Sequence, residues 1–289
     1  MEVSLGGNAQ VTGACGMVMP GGILAPKFAG LMNGPVKATS TTGANSILSQ
    51  RVLWPKSGNS LEEVLAVNET DLSDHLWWTW YDEQSLGYRD WVLIANPSAT
   101  DTVRATISIA GNPMTDTATG EQYFDIAPGA NVTPEFPGEK GGPVEVKAYL
   151  SSGAWPADAR NVIASQRVTS NNGAAFNEVP GTPHSALTTD YLWTWYDSTG
   201  PGRDWVLMSN PGGAPVRAEM TISAALPNDP APGNPHFGIA AGDKSTPQFA
   251  ATKNTPLRGW TDFASLHPPH RNMDLAREGD AQSRPRLAA

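Results

Sequence analysis

The sequence predicts an all-β chain of tandem antiparallel β-sandwiches, about two and a half repeats of about 115 residues each. Three observations carry that expectation. A long signature in rare residue types occurs twice, Gly and Pro punctuate the chain at short intervals, and the apolar residues between them alternate with a period of two.

The signature is Thr79-Trp80-Tyr81-Asp82, a short loop, then Arg89-Asp90-Trp91-Val92-Leu93-Ile94-Ala95-Asn96-Pro97. It returns as Thr194-Trp195-Tyr196-Asp197, a loop one residue shorter, then Arg203-Asp204-Trp205-Val206-Leu207-Met208-Ser209-Asn210-Pro211. Upstream, Ile47-Leu48-Ser49-Gln50-Arg51-Val52 matches Ile163-Ala164-Ser165-Gln166-Arg167-Val168, and Leu61-Glu62-Glu63-Val64 matches Phe176-Asn177-Glu178-Val179. A second block, Pro20-Gly21, Ala25-Pro26-Lys27-Phe28 and Gly34-Pro35-Val36, matches Pro128-Gly129, Thr133-Pro134-Glu135-Phe136 and Gly142-Pro143-Val144. It occurs a third time, weakened, as Gly242, Thr246-Pro247-Gln248-Phe249 and Thr255-Pro256-Leu257. With the signature block as A and this one as B, the chain reads B–A–B–A–B and then a tail. The alignment divides it into repeat 1 (1–100), repeat 2 (101–215), a partial third repeat (216–264) and a tail (265–289) expected to be flexible.

Each element has its own signal. Leu76–Tyr81 is apolar on both alternating faces, Trp78 with Trp80 and Trp77 with Tyr81, which predicts a strand covered on both sides. The loop after Asp82 contains Gly87, as a hairpin connection would, so the signature strands are expected to lie adjacent and antiparallel. The strand from Trp91 stops at Asn96-Pro97 because proline removes a ladder donor. Thr102–Ile109 alternates as a half-buried strand, and Val144–Leu150 faces Asn161–Val168 across the turn 152–160. Before residue 265 no stretch has a helical period.

Composition agrees. The 29 glycines and 25 prolines among 289 residues exceed their usual combined share of about 12%. A net charge of −9 argues against nucleic acid and anionic membranes as partners, because both need clustered Lys and Arg. The single cysteine, Cys15, excludes an intrachain disulfide, and no apolar run reaches the roughly 20 residues of a membrane span. Met1 is followed by an acidic residue rather than a basic and then apolar leader, so no signal peptide is expected.

The string W-T-W-Y-D … R-D-W-V-L-x-x-N-P, with S-Q-R-V and G-P-V-x-V upstream, resembles the tandem Ig-like β-sandwich repeats of uncharacterised bacterial cell-surface and secreted proteins. The resemblance covers residues 1 to about 257. It implies extracellular placement and an Ig-like sandwich, and it brings no catalytic residues with it.

The charges kept between copies are Arg51 and Arg167, Glu63 and Glu178, Asp82 and Asp197, Arg89 and Arg203, Asp90 and Asp204. Their types suit acid–base pairs, cation ligands or structural Arg–carboxylate bridges; the structural reading is preferred because a duplicated bridge is commoner than a duplicated catalytic centre. Arg51 and Arg167 are therefore expected beside a carboxylate of their own repeat, Glu63 or Asp82 and Glu178 or Asp197 respectively. Asp71 and Asp74 near Asp82 could supply oxygens to calcium in the first repeat only. Recurring tryptophans at strand spacing read as core, whereas the unmatched Trp54, Trp77, Trp155 and Trp260 are candidates for a surface contact. Cys15 has no histidine nearby in sequence, His267 and His270 form an isolated H-x-x-H in the tail, and Asn68 and Asn131 begin N-x-T glycosylation sequences. No nucleophile elbow, zinc-protease, phosphate-loop or CxxC pattern occurs.

These features predict a non-enzymatic structural or assembly module of an extracellular fibre, surface layer or stalk, needing no cofactor and associating with itself. A glycan- or surface-binding adhesion module is the alternative, and a glycan hydrolase using paired carboxylates is a third reading. The unmatched B block leaves an open edge that a neighbouring subunit could complete head to tail. The competing outcomes are a half unit docked on the second sandwich and a piece of a longer array.

Overall fold

The computed structural model describes residues 2–5, 16–26, 34–41, 47–53, 62–170, 173, 175–197, 199, 204–222, 236–247, 249, 253–254 and 257–262. Among them the protein is all-β, with antiparallel sheets, short 3-10 turns and no α-helix. At the N-terminus β1 (Glu2–Leu5) pairs with β2 (Val36–Thr39), and β3 (Gln50–Leu53) forms a separate hairpin with β4 (Glu62–Leu65).

The next strand, β5 (His75–Trp78), is buried at all four positions, as its apolar faces predict. The chain then leaves extended structure at Thr79-Trp80 and resumes as β6 (Tyr81–Asp82). That break resets the alternation, so Trp78 shares the core with Tyr81 instead of with Trp80. It also takes the chain out of the sheet of β5, since β6 pairs with a strand at 140–141 outside that sheet. The expected pairing of the two signature strands is therefore not found: β7 (Arg89–Ala95) joins the sheet facing β5.

Alternating burial in β8 (Val103–Ile109) follows its alternating sequence, with β9 (Asn112–Pro113), β10 (Phe124–Ile126), β11 (Asn131–Val132) and β12 (Lys140–Gly141) after it. β13 (Val144–Leu150) and β14 (Ile163–Ser170) lie in opposite sheets, and β15 (Ala175–Pro180) and β16 (Thr182–Pro183) complete the unit. One sheet has the order β10-β8-β13-β5-β16, with β9 on β8, and the other β11-β7-β14-β15. Leu76, Ile107 and Val146 of the first and Val92, Ile94 and Ala164 of the second belong to one apolar cluster, the arrangement of a β-sandwich. Gly142 is needed where β13 begins: a Cβ there would lie 2.3 Å from the Thr79 carbonyl oxygen, at the break between sheets.

The second unit contains β17 (Asp190–Trp193), β18 (Tyr196–Asp197), β19 (Met208–Ser209), β20 (Val216–Ile222), β21 (His236–Ile239), β22 (Lys244–Ser245), β23 (Lys253–Asn254) and β24 (Leu257–Asp262). Its sheet β17-β24-β20-β21 repeats the order β5-β13-β8-β10, and the pair Trp193–Leu257 repeats Trp78–Val144. The pairs β19–β22 and β18–β23 repeat β7–β11 and β6–β12. Among the described residues of the second unit nothing repeats β14–β15, β9 or β16.

Each core joins a signature block to the B block that follows it. The first cluster runs from Leu76 to Ala164 and the second from Tyr196 to Phe249. The alignment's boundaries at residues 100 and 215 therefore fall inside packed cores, and β20, β21 and Phe249 share the second core with Tyr196 and Val206. The tail 265–289 lies outside the described residues. So the strand pair carrying Ser-Gln-Arg-Val closes the first sandwich as β14–β15, while its duplicate, β3–β4, precedes any signature block.

Candidate functional site

The polar residues shared by the two signatures brace the backbone. Tyr81, fully buried, donates from its hydroxyl to the Asp90 carbonyl (2.8 Å) and accepts from the Phe136 amide (2.7 Å). Tyr196 repeats both bonds with the Asp204 carbonyl and the Phe249 amide. The Asn96 side chain donates to the carbonyls of Asp101, Ile126 and Ala127, and Asn210 does the same with Ala214, Ile239 and Ala240. Tyr81→Phe should cost about 2–4 kcal/mol in chemical denaturation, because it strands a buried amide and a buried carbonyl. A loss below about 0.5 kcal/mol would show that the brace contributes little.

Asp82 and Asp90 also act on the backbone. Asp82 caps its loop by accepting from the Ser85 amide and hydroxyl and from Lys140 Nζ (2.9 Å). Burial pushes its carboxyl up, but the bonds to Lys140 and Ser85 outweigh that and hold it below the usual range. Asp90 is fully buried; its Oδ2 accepts from the Asp82 amide (3.1 Å) and from Gln166 Nε2 (2.7 Å), while Oδ1 has no partner. Burial above all, then the charges of Glu83 and Asp82, push this carboxyl up to about 8. In the second copy Asp204 accepts from the Asp197 amide (2.6 Å), and no Gln166 counterpart accompanies it among the described residues. Asp197 caps its own loop through Thr199.

The duplicated arginines meet on one carboxylate. Arg167 Nη2 lies 2.8 Å from Glu178 Oε2, and Arg51 Nη2 lies 2.5 Å from Glu178 Oε1, which also accepts from Ser165 Oγ. Burial raises the Glu178 carboxyl, but the Arg51 hydrogen bond and the two guanidinium charges outweigh it and hold the group below the usual carboxylate range. Arg167 thus finds Glu178 as the sequence predicts. Arg51 does not bind Glu63 or Asp82. The connection between Arg51 and Glu63 is one residue longer than that between Arg167 and Glu178, so the register slips by one. Arg167 stands opposite Glu178, but Arg51 stands opposite Val64 and Glu63 opposite Val52, on the other face. Glu63 is exposed and accepts only weakly from Gln50 (3.4 Å).

On the outer face of the first sheet, residues that the sequence keeps far apart form an aromatic and charged cluster. His75 stacks on His184 with centroids 4.4 Å apart, and its Nε2 bonds Glu145 (2.8 Å). Burial lowers the His75 pKa against the opposing pull of Glu145, which favours the neutral imidazole in this bond. Lys147 pairs with Glu145 and lies over Trp155, whose Nε1 donates to Asp74. Trp77 is buried here, donating to His184 Nδ1 (3.2 Å), so it is not the surface residue its lack of a repeat partner predicts. Trp155 is half-buried, Trp260 stands in β24 opposite Glu219 and Asp190, and Trp54, Cys15, His267 and His270 lie outside the described residues.

Asp71 belongs to a 3-10 turn capped by Asn68, Asp74 holds Trp155 and Asp82 holds its loop. Among the described residues no three His, Cys, Asp or Glu are grouped to hold a metal. No described helix is long and apolar enough to cross a membrane. A shallow cleft between residues 115–117 and 132–136 contains Asp116 and Glu135, but Asp116 is committed to its own turn and Glu135 to Arg89. Recurrence was the available signal for the braces Tyr81, Asn96 and Gln166; nothing in the pattern marked His75 with His184. Comparison with family models, with curated proteins and with solved structures finds no match.

Proposed function

We propose that this chain is a non-enzymatic structural module, built of tandem Ig-like sandwiches, that assembles with copies of itself in an extracellular fibre, surface layer or stalk. One observation carries the reading: among the described residues the second unit repeats the sheet order of the first but has no counterpart of β14–β15 beside β19, nor of the short edge strands β9 and β16, and the sequence duplicate of β14–β15 stands outside either core. An incomplete sheet exposes backbone groups that another strand can satisfy. The sharing of buried polar residues between copies also favours a scaffold, since every one braces the fold. Extracellular placement rests on the sequence resemblance.

Sedimentation velocity of the purified chain over a hundredfold concentration range tests this, with electron microscopy of the concentrated sample. The expected result is a series of species growing by whole chains. A second reading, glycan binding, is favoured by the half-buried Trp155 beside Lys147, Glu145 and His75 on one sheet face. A chain that stays monomeric, and whose tryptophan emission shifts on titration with soluble oligosaccharides, would replace the first reading by the second. Deleting residues 216–289 is a poor test, because it removes β20–β24 and with them most of the second core.

A further inference from the structure

We infer that strand Ile47–Leu53 of one copy inserts beside residues 204–209 of another, completing the second sandwich as β14 completes the first. This rests on the assembly reading and names its two surfaces. The template is within the molecule: β14 runs antiparallel to β7 from Ile163 opposite Ala95 to Thr169 opposite Arg89. Both strands have duplicates, and in both duplicates the extended stretch is shorter. β7 has seven residues where β19 has two, and β14 has eight where β3 has four.

The acceptor edge is defined by hydrogen bonding. The amides of Val206 and Asn210 turn toward Pro247 and Asp243, as those of Val92 and Asn96 turn toward Pro134 and Ala130. Alternation then points the backbone groups of Trp205, Leu207 and Ser209 to the opposite side, where β14 would stand in the first sandwich and no described strand lies. Trp205 is 50% exposed there. Copying the β7–β14 register puts Ile47 opposite Ser209, Leu48 opposite Met208, Gln50 opposite Val206 and Arg51 opposite Trp205. Gln50 then faces Asp204 as Gln166 faces Asp90, supplying an amide donor that no described residue of the second copy provides. The donor is an exposed apolar segment, with Leu48 88% exposed.

Insertion requires an exchange. Ser49 turns its carbonyl to the Ala66 amide, so β4 occupies the edge of β3 that corresponds to the edge β14 presents to β7. The segment gives up a four-residue hairpin and the Arg51–Glu178 contact, while Glu178 keeps Arg167. The hairpin left behind has two strands and meets the first sandwich through Arg51 and Glu62 at Glu178, whereas the inserted strand would be central in a filled sandwich.

The test uses two full-length chains, each with Cys15→Ser, one carrying Leu48→Cys and the other Met208→Cys. These positions correspond to Ala164 and Ile94, a non-hydrogen-bonded pair about 4.5 Å apart at Cα in such ladders, within disulfide range. Mild oxidation of the mixture should give a cross-chain disulfide between positions 48 and 208 as the main product, identified by peptide mapping. In the otherwise native chain, Gln50→Ala should weaken association about tenfold by removing a hydrogen bond to a carboxylate. Large species without that disulfide would overturn this pairing and leave the assembly reading standing. Neither large species nor disulfide would overturn both. With both cysteines on one molecule, a disulfide at monomer mass would show completion within the chain and exclude the second copy.

Discussion

Replacing Arg51 and Arg167 together by alanine should destabilise the first sandwich by about 3–5 kcal/mol, measured by urea unfolding at a dilution where the chain is monomeric. The double change leaves Glu178, whose side chain is 5% exposed, as a buried carboxylate with only Ser165 to meet it. Arg51→Ala alone should cost only about 1 kcal/mol, because that guanidinium is 45% exposed and screened, and Arg167 keeps the pair. The diagnostic result is therefore strong non-additivity. The acid dependence follows from the depressed Glu178 pKa. Its stabilisation is fully present above the unfolded value of about 4.3 and is lost as pH falls through the lower folded value. The double variant should lack that loss. Small, additive single effects would mean that solvent, not the arginines, satisfies Glu178.

Asp90→Asn should flatten a pH dependence of the opposite sign. The folded pKa of Asp90, about 8, stands above the unfolded value of about 3.9, so between them the native state holds the extra proton. Its contribution is greatest below about pH 4 and is lost as pH rises to about 8, a difference on the order of 5 kcal/mol for a fully buried group. The asparagine variant should be more stable than the parent at pH 9 and should gain less on acidification. Asn keeps an oxygen for the Asp82 amide and Gln166, so the fold should survive. Parallel stability profiles for the two proteins would show that Asp90 ionises without penalty.

The all-β class and the strands of strict alternation, Val103–Ile109 and Val144–Leu150, were legible because one face of each strand meets the core. The partners of the signature strands were not. Leu76–Tyr81 reads as one apolar run, and the break at Thr79-Trp80 that sends its two ends to different sheets interrupts no pattern of hydrophobicity. The duplicated residues were visible but not which blocks pack together, since an alignment marks equal residues without saying which neighbouring block shares their core. Arg51 was misassigned for a related reason: one extra residue in a connection moves Glu63 to the other face, and composition does not reveal that. The His75–His184–Trp77 cluster depends on β16 folding back onto β5, which joins Trp77 to a histidine 107 positions away.

The braces end on backbone atoms, and that shapes how freely the unit can change. Asp82 and Asp90 are eight positions apart and Asp197 and Asp204 seven, yet each pair makes the same amide-to-carboxylate bond. The bond depends on where two main-chain segments lie and not on what is threaded between them. The loop 83–88 is therefore an insertion point, where new sequence can be spliced without disturbing the core that presents it. A duplicated scaffold of this kind can acquire different surfaces in each copy while its interior stays the same.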